Sequence, residues 1–497
     1  MRPMPLDRLS DLVRPIGVDA TRIALIEGDR STSWGELDAL ASQAAQAFRA
    51  AGLTRGERVL LQLGTCSEFV WLYFGMVRAG LVAVPLNPGY TEAERGYVAA
   101  DSGASLLVVE TPDGVRVGRP DGSGTQTWPE FAAGAPRTDP ALDPGGAELA
   151  VLLYTSGTSG RPKGAMLSAR ALLANLAQLA RVEPSLVRAG DVVFVPLPLF
   201  HIYGLNAALG MALYSGATVL LARRFEARSS LLAIRDRNVS AVLGAPGMFV
   251  HWAAQPEFRA AFAQVRFALS GSAPLSPALV ARYAEIGVSL FEGYGLTETA
   301  PVLTLNAIGA SEPRAGSVGR PLPGVQIQLR DADAAVVAAE DRDPGQLYVR
   351  GDNLFSGYWP DGSGGPDAEG WFGTGDIAVL DAGGALRLVG RTSDLIIVNG
   401  FNVYPAEVER VLAQVPGVAE VAVTGRPDAQ TGEAVLAFVV PVAGARIDPD
   451  EVAEVAARSL ARFKRPSRIT VVDALPHTVT GKVQKWRLLE PTADSLG

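Results

Sequence analysis

Eleven residues, Tyr154 to Gly164, read YTSGTSGRPKG and gather four small hydroxyl side chains, three glycines and two cations around one proline. Glycines let backbone N–H groups turn toward an anion at close range, and hydroxyls add further donors. Thr155, Ser156, Gly157 and Thr158 therefore suit a chain of phosphates, with Lys163 supplying charge. The spacing is not the G-x-x-x-x-G-K-[ST] of an ordinary nucleotide-binding loop, because Lys163 follows Pro162 and precedes Gly164. Lysine is scarce in the chain: of 44 basic residues only Lys163, Lys464, Lys482 and Lys485 are lysines. An ammonium on a flexible stem meets a phosphate as a mobile point charge, which a planar guanidinium does not. Those four positions are the first candidates for anion chemistry.

Other chemistries are disfavoured. Cys66, the single cysteine, sits in an apolar stretch that reads as helix, so it is expected to pack rather than react, and no intramolecular disulfide is possible. His201, His251 and His477 are far apart in sequence and leave no ligand cluster for zinc, so any metal should be oxygen-bound. A net charge of -8 argues against a nucleic-acid-binding surface, and an anionic ligand must be held locally. The start, MRPMPLDRLSDLVRPIG, lacks the apolar run of a secretory signal, and no stretch reaches the ~18 apolar residues of a spanning helix. A cytoplasmic protein is expected.

The elements that must position these residues follow an α/β plan. At 497 residues the chain should split into two or more domains. An amphipathic segment, SWGELDALASQAAQAFRAAG, runs into the apolar strand RVLLQL, and the alternation repeats. Residues 110–148, rich in Gly, Pro and Asp, read as a surface excursion. Four later runs, DVVFVPLPLFHIYG, SAVLGAPGMFVHW, VRFALSGSAPL and VSLFEGYGLTE, each end in glycine, proline and polar residues, so their loops could converge at one strand edge. Residues 324–388 read as β-rich. Beyond Arg391 the pattern resets into a self-contained unit of about a hundred residues, a common domain size.

Taken in order, YTSGTSGRPKG, PLFHIYG, GYGLTE, GWFGTGD, GRTSDLIIVNGFNVYPAEVE and TGK make the chain similar, over essentially its whole length, to the adenylate-forming superfamily. It most resembles the fatty-acyl-CoA and hydroxycinnamoyl-CoA ligases. The resemblance implies an α/β fold with a large N-terminal adenylation domain of several subdomains, residues 1–391, and a small mobile C-terminal α+β lid, residues 392–497. It implies ATP, Mg²⁺ and coenzyme A: an acid is joined to AMP with release of pyrophosphate, and the acyl group then passes to the thiol. Thr155, Ser156, Gly157, Thr158 and Lys163 would cradle the β and γ phosphates. Thr297 and Glu298 would meet the α phosphate and Mg²⁺, with Glu298 the metal carboxylate. Tyr294 would stack on adenine opposite Gly271, Ser272, Ala273 and Pro274. Asp376 would accept the ribose hydroxyls and Arg391 would contact ribose or phosphate. Lys482 would bridge the acid and the α phosphate. Gly400, within NGFNVYP, would let the pantetheine chain pass, and Ser393 would stand at the hinge, where many relatives carry Asp or Lys.

The acid pocket would draw on His201, Tyr203, Gly204, Gly244, Pro246, Met248, Gly293, Gly295 and Pro301. These are apolar, small or aromatic, and the stretches that hold them contain no arginine for a dicarboxylate. PLPLFHIYGLNAAL carries no acid to pair with a substrate ammonium. A medium-to-long fatty acid is the expected substrate, with an aryl or arylpropenoic acid second. The alternatives are transfer to a carrier protein's pantetheine, light-emitting oxidation in the style of luciferase, and nucleotide binding without catalysis.

Overall fold

The computed structural model describes residues 6–135, 148–156, 162–308, 313–331, 333–337, 343–398, 401–428, 430–477 and 483–489. Ser33 opens the helix Trp34–Ala50 with a reciprocal cap: its hydroxyl accepts from the Glu36 N–H at 3.2 Å, and the Glu36 carboxylate accepts from the Ser33 N–H at 2.7 Å. The buried face of this helix carries Trp34, Leu37, Ala41 and Phe48. The helix Ser67–Arg78 packs on it closely enough that a Cβ on Gly75 would lie 2.4 Å from that of Ala44. Cys66 caps this second helix, its sulfur accepting from the Phe69 N–H, and burial pushes its thiol up to about 12. The cysteine is a packed, inert group.

The chain forms two compact units, one of residues 1–326 with 349–372, the other of residues 327–348 with 373–497. Among the described residues of the first, a nine-stranded sheet has at its centre Leu290–Gly295, Phe267–Ser270, Ala241–Gly244, Val192–Val195, Thr218–Leu221 and Ile23–Glu27, in that spatial order and all parallel. The loops that leave the carboxyl ends of these strands, at Ala245, Gly271 and Leu296, lie side by side, as expected of parallel strands joined by crossovers. A seven-stranded sheet includes Arg58–Gln62, Val82–Pro85 and the hairpin Leu149–Ser156 with Pro162–Ser168.

Part of the surface excursion is ordered. Strands Gly114–Gly118 and Gln126–Thr127 and the short helix Trp128–Ala132 belong to it, because Trp128 packs against Phe48, Trp71 and Phe131 with ring centroids 5.2–5.8 Å apart. Two aromatics of the stretch, Trp128 and Phe131, both reach Phe48 and fasten it.

The β-rich reading is met by the sheet Gln326–Arg330, Gly345–Arg350, Phe372–Leu380 and Leu386–Arg391, most of whose residues belong to the second unit and whose first three strands cross the unit boundary. The reset after Arg391 forms a five-stranded sheet around the long antiparallel pair Val418–Asp428 and Gly432–Pro441. Helices Pro405–Leu412 and Pro449–Ser459 cover it through Val408, Leu412, Val452 and Ala456.

Beneath the parallel strands of the first unit, Phe249 is 0% exposed and meets Trp252 and Tyr283 edge-on at 5.2 and 5.5 Å. Phe249→Ala should lower the unfolding free energy of this unit by about 3–5 kcal/mol. The measurement is the urea midpoint of tryptophan emission. A change under ~1 kcal/mol would mean that the cavity collapses and the cluster is not what holds the sheet.

Candidate active site

The strands on either side of the glycine-rich stretch pair antiparallel, and their last register pairs are Thr155 with Lys163 and Ser156 with Pro162. The pair is anchored by Tyr154, whose hydroxyl donates to Asp101 at 2.6 Å, and by Tyr97, whose hydroxyl donates to the Pro162 carbonyl at 2.9 Å. Thr155 is half-buried and Lys163 exposed. Gly157 and Thr158 lie outside the described residues, as do Gly400 and Lys482.

Lys163 does not stand alone. Its ammonium lies 5.6 Å from the ring centre of Tyr358, and the Tyr358 hydroxyl donates to Glu298 Oε1 at 2.6 Å. Tyr358 is placed by main-chain pairing with the hairpin: the Trp359 N–H donates to the Gly164 carbonyl at 2.8 Å, and the Ser356 N–H to that of Met166 at 2.9 Å. Burial, and then the neighbouring Glu298 carboxylate, hold the phenol above its ordinary value, so it remains a donor at neutral pH. Two residues proposed from separate motifs, Lys163 and Glu298, thus flank one phenol that motif reading passed over. The aromatic in SGYW was the only available signal, and a tyrosine in a turn commonly packs.

Thr297 and Glu298 open the short 3-10 turn Thr297–Thr299, and both are half-buried. The Phe355 N–H donates to the Glu298 carbonyl at 2.9 Å, so this residue is held by backbone as well as by side chain. The chain then folds back so tightly that a Cβ on Gly295 would lie 1.8 Å from the Pro301 carbonyl oxygen. Only glycine fits there. Tyr294 is half-buried on the preceding strand.

Gly271 to Pro274 leave the neighbouring strand, with Ser272 in the left-handed region at φ 76°. A Cβ on Gly271 would lie 3.1 Å from the ring of Tyr203, and the Tyr203 hydroxyl donates to the carbonyls of Leu269 at 3.1 Å and Gly244 at 3.4 Å. One pocket residue and one adenine-loop residue are therefore in contact. Tyr203 begins a π-helical segment, Tyr203–Gly210, and Gly204 is obligatory because a Cβ there would meet the Pro198 carbonyl at 2.2 Å. Half-buried His201 lies 4.8 Å from Phe200, ring to ring. On the opposite face, a Cβ on Gly244 would point at Phe249 and Trp252, and Met248 packs on that same apolar cluster beside the half-buried Pro246. A Cβ on Gly293 would meet Leu305 at 2.9 Å.

In the second unit Asp376, 4% exposed, accepts from Arg391 Nε at 2.9 Å across a strand pair. The residues assigned to ribose and phosphate thus engage each other. Lys464 pairs with Glu407 at 2.7 Å and Lys485 with Glu409 at 2.7 Å, both on the helix Pro405–Leu412. Among the described residues no three His, Cys, Asp or Glu side chains converge as a metal cluster. Glu298 fits a hard cation that takes a single carboxylate and completes its shell with phosphate oxygens and water.

Sequence reading also missed Glu292, two residues before Tyr294. It is 5% exposed, burial pushes its carboxyl up to about 8, and the Leu275 N–H, just after the Gly271–Pro274 loop, donates to it. Its register partner Ser270 has a fully buried Oγ with no hydrogen-bond partner among the described residues.

Tyr358→Phe should raise the magnesium concentration needed for half-maximal ATP binding by roughly tenfold, because a charge-assisted hydrogen bond to Glu298 is lost. Calorimetric titration checks it, and an unchanged value would remove Tyr358 from the site. Because the Glu292 carboxyl is raised in the folded chain, its protonation supports folding at low pH, and that support is lost as pH rises from about 4.5 to about 8. Urea unfolding across this window should show a shallower decline for Glu292→Gln than for the wild type; equal slopes would mean a solvated carboxyl.

The profile of the AMP-binding enzyme family matches residues 16–359, and that of the AMP-binding enzyme C-terminal domain matches residues 407–482. A feruloyl-CoA synthase of an Amycolatopsis species is 36% identical over 93% of this chain and 94% of that protein. A long-chain-fatty-acid–CoA ligase of Mycobacterium tuberculosis is 32% identical over 93% of each chain. The crystal structure of ATP-bound MatB from Rhodopseudomonas palustris superposes with a TM-score of 0.88 at 32% identity, covering 97% of this chain and 98% of that one. With its glycine-rich hairpin, its Thr297–Glu298 turn and both family domains in order, the chain belongs to the adenylate-forming superfamily and is an ATP-dependent, AMP-forming ligase of carboxylic acids to coenzyme A.

Proposed function

We propose that the acid is a medium-to-long-chain fatty acid. Its carboxylate oxygen attacks the α-phosphorus of ATP and pyrophosphate leaves; the coenzyme A thiol then attacks the acyl carbon, AMP leaves with the bonding pair, and the thiol proton goes to solvent. Two anions meet in the first step, so the barrier is largely electrostatic. The observation that carries the reading is the line Lys163, Tyr358, Glu298, which places a cation and an oriented carboxylate on either side of one hydroxyl donor.

In this reading Thr155, Ser156, Gly157, Thr158 and Lys163 hold the β and γ phosphates, and Thr297 the α phosphate. Glu298 would hold Mg²⁺ through the oxygen not engaged by Tyr358, where the ion would neutralise phosphate charge. Adenine lies between Tyr294 and the Gly271–Pro274 loop. The Asp376 and Arg391 pair takes the ribose, and Lys482 bridges acid and α phosphate. The domain boundary falls at Arg391, and residues 392–497 turn as a lid about Ser393, which lies in the turn Thr392–Asp394. The lid presents Lys482 for adenylation and Gly400 to the pantetheine for thioester formation. The pocket residues His201, Tyr203, Gly204, Gly244, Pro246, Met248, Gly293, Gly295 and Pro301 bring no fixed charge, which suits an apolar acyl chain. No described helix is long and apolar enough to cross a membrane, and we place the protein in the cytoplasm.

A second reading, an arylpropenoic acid, is favoured by the similarity to feruloyl-CoA synthase. A panel of fatty and arylpropenoic acids with ATP and Mg²⁺, scored for AMP release with and without coenzyme A, decides between them. Preference for C8 to C18 chains by on the order of tenfold in kcat/KM supports the first reading, and preference for ferulate or coumarate overturns it. AMP release that needs an acid of the panel but no coenzyme A would favour a carrier-protein acceptor. Lys482→Ala should cut acid-dependent pyrophosphate exchange by on the order of 10²-fold or more, while thioester formation from supplied acyl-adenylate survives. Equal loss of both steps would contradict a lid that serves twice.

A further inference from the structure

The turn that follows Glu298 is held by buried side-chain amides. Asn353 Nδ2 donates to the Thr299 carbonyl at 2.8 Å and Asn206 Nδ2 to the Ala300 carbonyl at 2.7 Å. Asn175 brackets the next peptide, donating to the Val302 carbonyl at 2.7 Å and accepting from the Val302 N–H at 3.1 Å. Gln178 braces two of them, donating to Asn353 at 3.1 Å and accepting from Asn175 at 3.2 Å. All four are at most 5% exposed. Between these anchors Ala300 stands in the left-handed region at φ 61°, a conformation that a residue with a Cβ keeps only where its surroundings over-determine it.

Asn206 differs from the other three in where it comes from. Both its amide hydrogens are spent on main chain, one on Ala300 and one on the Leu172 carbonyl at 3.1 Å, in the helix Ala169–Ala180 that continues from the glycine-rich hairpin. Its seat exists because residue 210 is glycine: a Cβ there would lie 2.8 Å from Asn206 Oδ1. Asn206 itself rides on the π-helical segment whose first residue, Tyr203, packs its ring on Gly271 in the proposed acid-pocket wall. Such wide turns recur at functional sites, where the extra residue lets one side chain be aimed independently of the helix on either side. Three elements therefore share one amide: the pocket wall, the helix behind the hairpin and the turn that aims Glu298.

We propose that Asn206 is a positioning residue, tying the wall of the acid pocket to the Thr297–Val302 turn, so that the affinity magnesium adds to ATP depends on an amide that touches neither. This rests on the reading of Glu298 as the magnesium carboxylate. Without the Asn206 donor the Ala300 carbonyl is buried and unpaired, the left-handed residue relaxes, and Glu298 loses its aim.

The test is the ratio of ATP dissociation constants measured by calorimetry on the full chain in EDTA and in excess magnesium. Ser230→Ala is the control, since Ser230 also serves two buried hydrogen bonds, from Trp252 Nε1 at 2.7 Å and to the Glu226 carbonyl at 2.6 Å, on a helix outside the site. Asn206→Ala should shrink the magnesium gain at least about fivefold while Ser230→Ala, with a comparable loss of Tm, leaves it unchanged. If Asn206→Ala proves unfolded, Asn206→Ser, smaller but still a donor, is read the same way against Asn206→Val, which cannot donate. An equal magnesium gain in the Asn206 variants and the control overturns the inference. A wild-type chain that gains no ATP affinity from magnesium overturns the assignment of Glu298 first, and this proposal with it.

Discussion

In the proposed reading Glu298 is a half-buried carboxylate that would face Mg²⁺ and the phosphates of ATP, and it must keep one orientation, because a swing of its side chain would turn an attraction for a cation into repulsion of the nucleotide. Glu298 meets that requirement through its surroundings: Tyr358 donates to one oxygen and the Phe355 N–H to its carbonyl. Gly295 leaves no room for the turn to open, since its missing Cβ is filled by the Pro301 carbonyl. Preorganisation of this kind is where electrostatic catalysis is strongest, because no reorientation is needed when charge develops.

The parallel sheet explains how so many turns reach one edge. Each strand of the central run delivers its carboxyl end to the same side, and Pro196, Pro246 and Gly271 stand within two residues of three of those ends, where they permit sharp departures. Gly271 receives the Tyr203 ring and Gly204 receives the Pro198 carbonyl, so these two glycines are there for close approach rather than for flexibility. In the second unit, the pairing of buried Asp376 with half-exposed Arg391 orients the carboxylate on a strand pair rather than on a loop.

Glu292 adds a different kind of constraint. A carboxyl with so little solvent is favoured in its neutral form, and it holds the end of the Gly271–Pro274 loop through the Leu275 N–H. The neighbouring orphan hydroxyl of Ser270 marks the same spot as polar inside an otherwise apolar layer. Nothing about a glutamate before a GYG tripeptide separates a solvated residue from a buried one, because the next strand and the covering helices decide its exposure.

Much of the architecture was legible along the chain. Ser33 with Glu36, the apolar stripe of Trp34–Ala50, and the strand runs ending in glycine and proline are local signals, and local hydrogen bonds and periodic burial are enough to realise them. The candidate residues could be named for the same reason: a glycine-rich hydroxyl loop and a Thr-Glu pair carry their chemistry in composition and spacing. Tyr358 and Asn206 could not. Their partners stand 60 and 94 residues away in the sequence, and a phenol or an amide gains a role only when folding removes water and sets one particular carbonyl or carboxylate within its reach. Trp128 and Phe131 are the same lesson in the core: their polar neighbours mark a loop, but two rings finding Phe48 and Trp71 fasten it. Short-range order follows from the residues beside one another; long-range hydrogen bonds and close glycine contacts exist only once distant segments are packed.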